Sequence, residues 1–485
     1  MRRYHARWVL PIVAPPIEHG TVVVSDARIA WVGPRAAAPA GAAGSDVELG
    51  DAILLPGLVN AHTHLELTAM RGFLEQLDFH EWIRRLTTSK KAVLGEELLL
   101  DSARLGIAEG LAAGITTYAD TCDSGVALPA MQEMGVRGIM YQEAFGPAVG
   151  MFEESLAGLR AKLARLAPRQ TALVRLGVSP HAPYSVHREL FGHIAAVARE
   201  AGLPIAVHIA ESRAEHELVA EGRGAFAEML RRRGIPVEPA ARSPVALLEA
   251  QGVLGERTLL IHCVRLDDED VRTIARHRSA VAHCPASNAK LGHGIAPLCE
   301  LLAAGVRVGL GSDSVASNNR MDVVEEARLA ALLQCARRGD PTCLSPATAL
   351  ELATLGGARA LGLEDEIGSL EAGKAADLAA FPLDDARGTP TVDPLAALVF
   401  ALAGRRASFV SVAGRELVRE GRVLGEDAGL RGRVQRAGEL LVGWLSGTAR
   451  VTGSGSGSGS GAGTAVEALR GTSSPDPDPG PDPIT

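Results

Sequence analysis

The sequence predicts an α/β fold, a (β/α)8 TIM barrel with a small β-sandwich domain formed from the N- and C-terminal segments. Eight short apolar runs each precede a longer helix-like stretch, and β-like segments lie before the first run and after the last. Repeated strand–helix alternation favours a parallel sheet with helices outside it, and eight strands close such a barrel. The two β-like ends then flank the barrel and pair with each other if its termini lie close together.

The eight apolar runs are expected to form the barrel strands in chain order. They read AILLPGLVNAH, ITTYADT, RGIMYQEAF, VRLGVSPHA, IAVHIAE, TLLIHCV, AVAHCP and RVGLGSD. Helix-like stretches follow them, such as DDEDVRTIARHR after the sixth run and MDVVEEARLAALLQCARR after the eighth. We therefore place these stretches on the outside of the barrel.

The terminal segments show the alternation and the β-branched residues of paired strands. TVVVSDARIAWV lies between Gly20 and Gly33, and Gly414 and Gly421 punctuate ASFVSVAGRELVREGRVL like hairpin turns. The last residues are Gly/Ser-rich and then Asp/Pro-rich, a composition that buries too little apolar surface to become ordered. The expected division is 1–52 and 366–428 for the two parts of the sandwich, 53–365 for the barrel, 429–449 for a C-terminal helix and 450–485 for a disordered tail.

Composition excludes several classes of function. The 485 residues carry a formal net charge of -8, so no basic face is available for nucleic acid. The six cysteines form no CxxC pair, and no stretch approaches the ~20 uninterrupted apolar residues of a membrane span. Prolines interrupt the N-terminal apolar stretch, which makes a poor signal peptide. We expect a cytoplasmic protein that acts on a small-molecule substrate, with neither nucleic acid nor a membrane as partner.

His62 and His64 stand at the end of the first apolar run. Residues two apart on a strand point to the same side, so both imidazoles can face one ion. They also lie where a strand passes into its βα loop, the face on which barrel enzymes place their chemistry. An HxH pair alone is weak evidence, since two unrelated polar histidines give the same pattern.

Four further polar residues fall near the carboxyl ends of predicted strands. His208 and Glu211 end the fifth run, His262 lies in the sixth, and Asp313 follows the eighth. A single buried histidine is usually a hydrogen-bonded core residue, and a lone Asp after a Gly-rich run is usually a turn or a helix cap. Their joint position at one rim indicates a functional site.

Several motifs carry a family resemblance. They are PGLVNAHTHLE (56–66), SPHAPYSV (179–186), HIAES (208–212), HC (262–263), CPASNAKLGHGIAP (284–297) and GSDSVASNN (311–319). Together they resemble the amidohydrolase superfamily, in the branch of chlorohydrolases and nucleoside deaminases that includes cytosine-deaminase-like enzymes. The similarity extends from Gly20 to Leu424. It implies a metal-dependent hydrolase, and such relatives often form homo-oligomers.

The resemblance also implies roles for the rim residues. Its implied ligands for one divalent ion, Zn²⁺ or Fe²⁺, are His62, His64, His208 and Asp313. It places His262 beside the water or the substrate, assigns the proton transfer to Glu211, and counts Asp313 among the catalytic groups. Imidazole and carboxylate suit either ion, and a bound ion lowers the pKa of water to about 7. The fourth run contains no Lys that could bridge two ions, which favours a single-ion site.

Candidate substrate contacts lie in the loops. Glu66 either contacts a ribose, an amine or a base edge, or forms a cap or an ion pair at the start of its loop. His181 resembles the position that contacts substrate in the deaminase branch. Further candidates for the pocket are Arg71, Trp82, Glu143 and Asn318.

The motifs favour one reaction and leave alternatives open. HTHLE with the FHEWI segment resembles the aminodeoxyfutalosine deaminases of menaquinone biosynthesis, and deaminases of S-adenosylhomocysteine or methylthioadenosine resemble it almost as well. The expected function is hydrolytic deamination of an adenosine- or purine-type substrate, with 6-aminodeoxyfutalosine favoured. Guanine deamination and displacement of chloride from an s-triazine are the enzymatic alternatives. A non-catalytic ligand-binding barrel is the alternative of another class, disfavoured because every expected metal position is filled.

Overall fold

The structure is a computed structural model that describes residues 1–40 and 45–447; the predicted tail at 450–485 lies outside the described residues. The strands of this part are β1 (Arg2–Val9), β2 (Ile17–Ser25), β3 (Arg28–Pro34), β4 (Asp46–Glu48), β5 (Ala52–Pro56), β6 (Leu58–Thr63), β7 (Ile115–Cys122), β8 (Arg137–Ala144), β9 (Val174–Pro180), β10 (Ile205–Ile209), β11 (Thr258–His262), β12 (Ala280–His283), β13 (Arg307–Leu310), β14 (Leu378–Pro382), β15 (Phe409–Val412), β16 (Arg415–Arg419) and β17 (Arg422–Val423).

Helices follow the barrel strands and continue beyond them. They are α1 (Phe79–Val93), α2 (Glu96–Ala112), α3 (Ala127–Met134), α4 (Phe152–Leu166), α5 (Leu190–Glu200), α6 (Arg213–Glu221), α7 (Ala225–Arg232), α8 (Pro244–Ala250), α9 (Asp268–Arg276), α10 (Pro285–Lys290), α11 (Leu298–Ala303), α12 (Val315–Asn318), α13 (Val323–Arg338), α14 (Pro346–Glu351), α15 (Gly357–Leu361), α16 (Pro394–Ala396) and α17 (Leu430–Leu445). A 3-10 segment, Leu65–Met70, directly follows β6.

The eight strands β6 to β13 form one parallel sheet in chain order. A parallel bridge between Thr63 and Asp313 connects the first strand of this sheet to the segment after the last. The predicted (β/α)8 barrel is therefore confirmed. Each of the eight apolar runs contributes one barrel strand, because a strand covered on both faces reads as a continuous apolar run.

A second, mixed sheet combines both ends of the chain. Its strand order is β17-β16-β15-β14-β5-β1-β2-β3, with β4 pairing on β1. The antiparallel pairing of β14 with β5 joins the C-terminal strands to the N-terminal ones. Tyr4 and Phe409 pack against each other in the core of this sheet, with ring centroids 5.0 Å apart. The expected small β domain from the two termini is confirmed.

The first apolar run differs from its expected form, because it is two strands rather than one. Ala52–Pro56 belongs to the mixed sheet, and Leu58–Thr63 belongs to the barrel. The chain passes from one sheet to the other at Gly57, where a Cβ atom would lie 2.2 Å from Thr116 Oγ1. Glycine is required at this crossing because any side chain would collide with Thr116 of β7.

A buried ion pair holds the barrel to the mixed sheet. Arg137 begins β8, and its Nε donates to Asp377 Oδ2 at 2.8 Å, next to β14. Both side chains are almost fully buried, and Arg137 also pairs with Glu366 at 3.1 Å. The two ends of the chain thus meet the barrel on the side of the strands' amino ends.

Within the described residues, no helix has both the length and the apolar character that a bilayer crossing requires.

Candidate metal centre and active site

The polar residues predicted from the sequence meet at the carboxyl ends of the barrel strands. His62 lies on β6, His208 on β10, and His262 ends β11. Three sharp backbone turns aim side chains at this place, because Ala210, His262 and Asp313 have φ angles of 51°, 77° and 54°. Positive φ is uncommon outside glycine and clusters at functional sites, where the surrounding structure holds it.

Two imidazoles face each other in a way that calls for a cation. His64 Nδ1 donates to the carbonyl of Thr121 at 3.0 Å, and His208 Nδ1 donates to the carbonyl of His181 at 3.1 Å. Because a carbonyl only accepts, each ring carries its proton on Nδ1 and presents a lone pair on Nε2. The two Nε2 atoms nevertheless lie 3.2 Å apart. A positive ion shared by both lone pairs accounts for this approach, and carbonyl-bound Nδ1 atoms are the usual support of metal-binding histidines.

The Asp313 carboxylate completes the donor set. Its Oδ1 lies 3.2 Å from His62 Nε2 and 3.6 Å from His64 Nε2. Its Oδ2 accepts hydrogen bonds from Ser287 Oγ at 2.6 Å and from Ser317 Oγ at 2.9 Å. One carboxylate oxygen is therefore engaged by hydroxyls while the other faces the imidazoles.

Electrostatics of the cluster agree with this arrangement. Burial lowers the pKa of His64 to about 3 and also lowers the pKa values of His62 and His208. The pKa of Asp313 lies well below its usual range, because the histidines outweigh the opposing effect of burial. Neutral imidazoles and an ionised carboxylate are the forms that bind metal. The donor set fits a divalent ion of the zinc or ferrous type.

A carboxylate flanked by two imidazoles lies beside this cluster. Glu211 Oε1 is 3.6 Å from His262 Nε2 and 3.3 Å from His293 Nε2. His262 Nδ1 lies 3.0 Å from Asn288 Oδ1, which orients the ring. Both imidazoles lower the pKa of Glu211 against the effect of burial, so the carboxylate is ionised at neutral pH.

The donor cluster opens into a cavity of about 570 Å³. Its lining includes His64, His208, His262, Glu211 and Asp313 at one end. Apolar and aromatic side chains form much of the remaining wall: Leu67, Phe79, Trp82, Ile83, Leu86, Leu94, Leu99, Phe145, Tyr184 and Leu291. A predominantly apolar cavity with a few convergent polar groups is the usual form of a small-molecule site.

The cavity wall contains one buried ion pair. Glu66 is 2% exposed and accepts hydrogen bonds from Lys90 Nζ and from Ser124 Oγ. Cys122 Sγ donates to the same carboxylate at 3.1 Å. The Glu66 carboxylate raises the pKa of Lys90 despite the opposing effect of burial. Donor and acceptor groups therefore stand side by side in an otherwise apolar wall.

Two further predicted contacts also line the cavity. His181 Nε2 lies 3.9 Å from Glu143 Oε1, and its Nδ1 is 2.6 Å from Ser185 Oγ. Burial raises the pKa of Glu143 to about 8 and lowers that of His181 to about 4. Both groups are thus neutral at pH 7, a carboxylic acid beside an imidazole.

Arg71 and Asn318 do not line the cavity. Arg71 pairs with Glu109 and donates to the carbonyl of Asn319, on the outer side of the loop after β6. Asn318 donates to Glu326 Oε1 at 3.2 Å and to a carbonyl of its own loop. Their side chains form hydrogen bonds with loop and helix residues that do not line the cavity, so substrate contact by either residue stays a prediction that this cavity does not support.

The structure also adds residues to the site that the sequence analysis does not select. Lys90 lies on α1, whose sequence resembles a solvated, Lys-rich helix face. Asn288 belongs to the CPASNAKLGHGIAP motif, which is the one signal that could have found it, whereas the GHG of the same motif already suggests that His293 approaches the pocket. Phe79 packs on His293 with ring centroids 4.4 Å apart.

A barrel with clustered imidazoles and two ionised carboxylates at its carboxyl rim is the architecture of a metal-dependent hydrolase. The sequence model of the family described as "Amidohydrolase family" matches residues 53–417. The chain belongs to this family.

Curated relatives match nearly the whole described chain. A protein of Moorella thermoacetica named 5-methylthioadenosine/S-adenosylhomocysteine deaminase is 36% identical over 425 residues, covering 87% of this chain and 94% of its own length. A protein of Desulforudis audaxviator with the same name is 34% identical over 423 residues, with the same two shares.

Solved structures share the architecture. An adenosine deaminase of Xanthomonas campestris with bound zinc has a TM-score of 0.79 at 30% identity, covering 91% of this chain and 98% of that one. Atrazine chlorohydrolase of Arthrobacter aurescens, complexed with zinc, has a TM-score of 0.77 at 25% identity, covering 91% and 100%. Helicobacter pylori aminofutalosine deaminase has a TM-score of 0.75 at 20% identity, covering 86% and 100%, which shows the shared fold alone.

Proposed function

We propose that this amidohydrolase catalyses hydrolytic deamination of an adenosine-type nucleoside at a single divalent ion. The observation that carries the proposal is the common cavity: the facing Nε2 atoms of His64 and His208, the Asp313 carboxylate and Glu211 all line it. His62 completes the proposed ligand set. These residues would hold a divalent ion, which would lower the pKa of a bound water to about 7.

The proposed proton transfers belong to Glu211 and His262. An ionised Glu211 takes a proton from water and returns it to the amine nitrogen that leaves as ammonia. His262, whose Nδ1–H donates to Asn288 Oδ1, presents an Nε2 lone pair that accepts a hydrogen bond from the attacking water or takes up its proton. Asp313 remains ionised and completes the donor set with Oδ1. Glu143 and His181, both neutral, offer hydrogen bonds to the edge of the heterocycle.

The cavity wall supports a nucleoside rather than a free base. The Glu66–Lys90 pair offers an acceptor and a donor side by side, which suits the vicinal hydroxyls of a ribose. Desolvation makes a buried ion pair costly to the stability of the fold, which suggests that the pair is kept to bind a polar group of the substrate. A wall without charged groups would suit an s-triazine ring better. Trp82 and the neighbouring aromatic residues offer flat surfaces for the base.

The relatives narrow the choice of substrate within this class. Two relatives at 34–36% identity carry names that specify methylthioadenosine and S-adenosylhomocysteine, so these nucleosides are the first candidates. The HTHLE and FHEWI segments favour 6-aminodeoxyfutalosine, and the Helicobacter pylori enzyme shares the fold. This nucleoside, which would place the protein in menaquinone biosynthesis, is the second candidate. Zinc is the proposed ion, because two neighbouring structures contain it.

The proposal is tested by measuring ammonia release from a panel of substrates with the zinc-loaded protein. The panel contains methylthioadenosine, S-adenosylhomocysteine, 6-aminodeoxyfutalosine, adenosine and guanine, and chloride release is measured with atrazine. We expect ammonia from at least one 5′-modified adenosine. Zinc-loaded protein that releases no ammonia from any nucleoside, or that releases chloride alone, contradicts the proposal.

A further inference from the structure

The carboxyl group of Glu215 holds the backbone turn that carries Glu211. Glu215 lies in the first turn of α6 and is fully buried. Its Oε1 accepts from the backbone N–H of Ala210 at 2.8 Å, and its Oε2 accepts from the backbone N–H of Glu211 at 2.8 Å. Ser212 Oγ in turn accepts from the backbone N–H of Glu215 at 3.2 Å, which fixes the start of the helix. Both carboxyl oxygens are thus engaged by the same turn.

This turn is strained and needs such support. Ala210 has a φ angle of 51°, in the left-handed region that residues with a side chain adopt at a cost of about 1 kcal/mol or more. With an extended conformation at Ala210 instead, the chain would continue along the direction of β10 and carry the side chain of Glu211 away from the rim. The two hydrogen bonds to Glu215 compensate for this conformation at the point where the chain leaves β10.

The same turn is tied to the one that carries His262. The carbonyl of Ala210 accepts from the backbone N–H of Val264 at 2.8 Å and of Arg265 at 2.7 Å. His262 itself has a φ angle of 77°. The two turns are therefore one hydrogen-bonded unit. Across it, Glu211 Oε1 lies 3.6 Å from His262 Nε2.

We propose that Glu215 is a positioning residue that sets the separation between the proton-transfer groups Glu211 and His262. Glu215 does not face the cavity and is not among the residues that line it. It acts through the backbone of Ala210 and Glu211. The inference rests on the proposed function, because it assumes that Glu211 transfers the proton.

The test compares Glu215→Gln, Glu215→Asp and the wild type with the best nucleoside of the panel. The Gln side chain keeps the size but offers one acceptor oxygen and an NH₂ group that cannot accept from the second N–H. We expect kcat to fall roughly tenfold to a hundredfold, the cost of a misplacement of about 1 Å, with KM within about twofold and an unchanged metal content. The pH profile of kcat/KM should shift, because the environment of Glu211 changes.

Two variants serve as controls. Glu215→Asp keeps both acceptor oxygens on a shorter side chain and should recover part of the lost kcat. Glu217→Gln changes a carboxylate of the same helix that pairs with Arg213 at the surface, and it should retain the wild-type rate and pH profile. Hydrogen exchange at the Ala210 and Glu211 amides gives a readout without activity, and Glu215→Gln should accelerate it.

The outcomes separate this inference from the proposed function. A wild type without deaminase activity overturns the proposed function, whereas the exchange experiment still tests the support of the turn. An active wild type with unchanged kcat and pH profile in Glu215→Gln overturns the inference alone. Loss of metal together with activity in Glu215→Gln also overturns it, since the residue would then support the ligands.

Discussion

Thr63 and Asp313, 250 positions apart in the chain, are joined where the barrel closes. Thr63 Oγ1 donates to the carbonyl of Asp313 at 3.0 Å, and the backbone N–H of Asp313 donates to the carbonyl of His62 at 3.0 Å. The first and the last barrel strands thus bring the HxH pair and the carboxylate to the same point. The contacts that close the barrel therefore also bring the donor atoms together.

Replacement of Asp313 by Ala should release the metal. The change removes the anionic donor and leaves the hydroxyls of Ser287 and Ser317 without their acceptor. We expect deaminase activity to fall by at least about a hundredfold and metal content to fall with it. Elemental analysis after dialysis measures the second effect. Asp268→Ala, at an exposed position on α9, is the control and should retain both. Full metal content in Asp313→Ala would contradict the assignment.

Replacement of Glu211 by Gln should separate catalysis from metal binding. The amide keeps the size of the side chain but cannot take a proton from water. We expect kcat to fall about 10²- to 10⁴-fold, the usual contribution of a positioned acid–base group, while metal content stays at the wild-type value. Steady-state kinetics and elemental analysis on the same preparation test this. An unchanged kcat would remove Glu211 from the mechanism.

Removal of the ion pair in the cavity wall should weaken the preference for nucleosides. In the double variant Glu66→Gln/Lys90→Met, neither charge is left buried without its partner. Hydrogen bonds to charged groups contribute about 1.5–3 kcal/mol, so kcat/KM for the nucleoside should fall roughly tenfold to a hundredfold. The rate with free adenine should change much less. Equal losses for nucleoside and base would show that the pair supports the fold rather than recognising ribose.

Replacement of Arg137 by Met should loosen the junction between barrel and mixed sheet. The change leaves Asp377, whose side chain is 2% exposed, as a buried charge without its main partner. Loss of one member of a buried pair costs about 3–5 kcal/mol. The free energy of unfolding in the first transition of a denaturant titration measures this loss. Arg160→Met removes an exposed pair with Glu200 and should cost less than about 1 kcal/mol. Similar costs for both variants would contradict this account.

Strand identity was predictable because burial on both faces produces compact apolar runs. The division of the first run at Gly57 was not, because Leu55 and Leu58 are equally buried and hydrophobicity does not say which sheet each joins. Gly57 permits the crossing, because Thr116 leaves no room for a side chain at that position.

Side chains near the carboxyl ends of strands were predictable as site residues, because parallel strands deliver them to one rim. Among loop and helix residues, Glu66 and Trp82 were predicted and do line the cavity, whereas others were not predictable. Lys90 resembles any lysine of a solvated helix until α1 is seen to cover the cavity, and Arg71 resembles a pocket residue until its loop turns it outward. These positions depend on loop paths that local sequence does not encode.

Elemental analysis of the purified wild-type protein, combined with ammonia release before and after chelation, tests whether deamination depends on one bound divalent ion. We expect about one equivalent of zinc or iron per chain, loss of activity when a chelator removes it, and recovery when the ion is restored. Full activity in protein that contains no stoichiometric divalent metal would contradict this dependence.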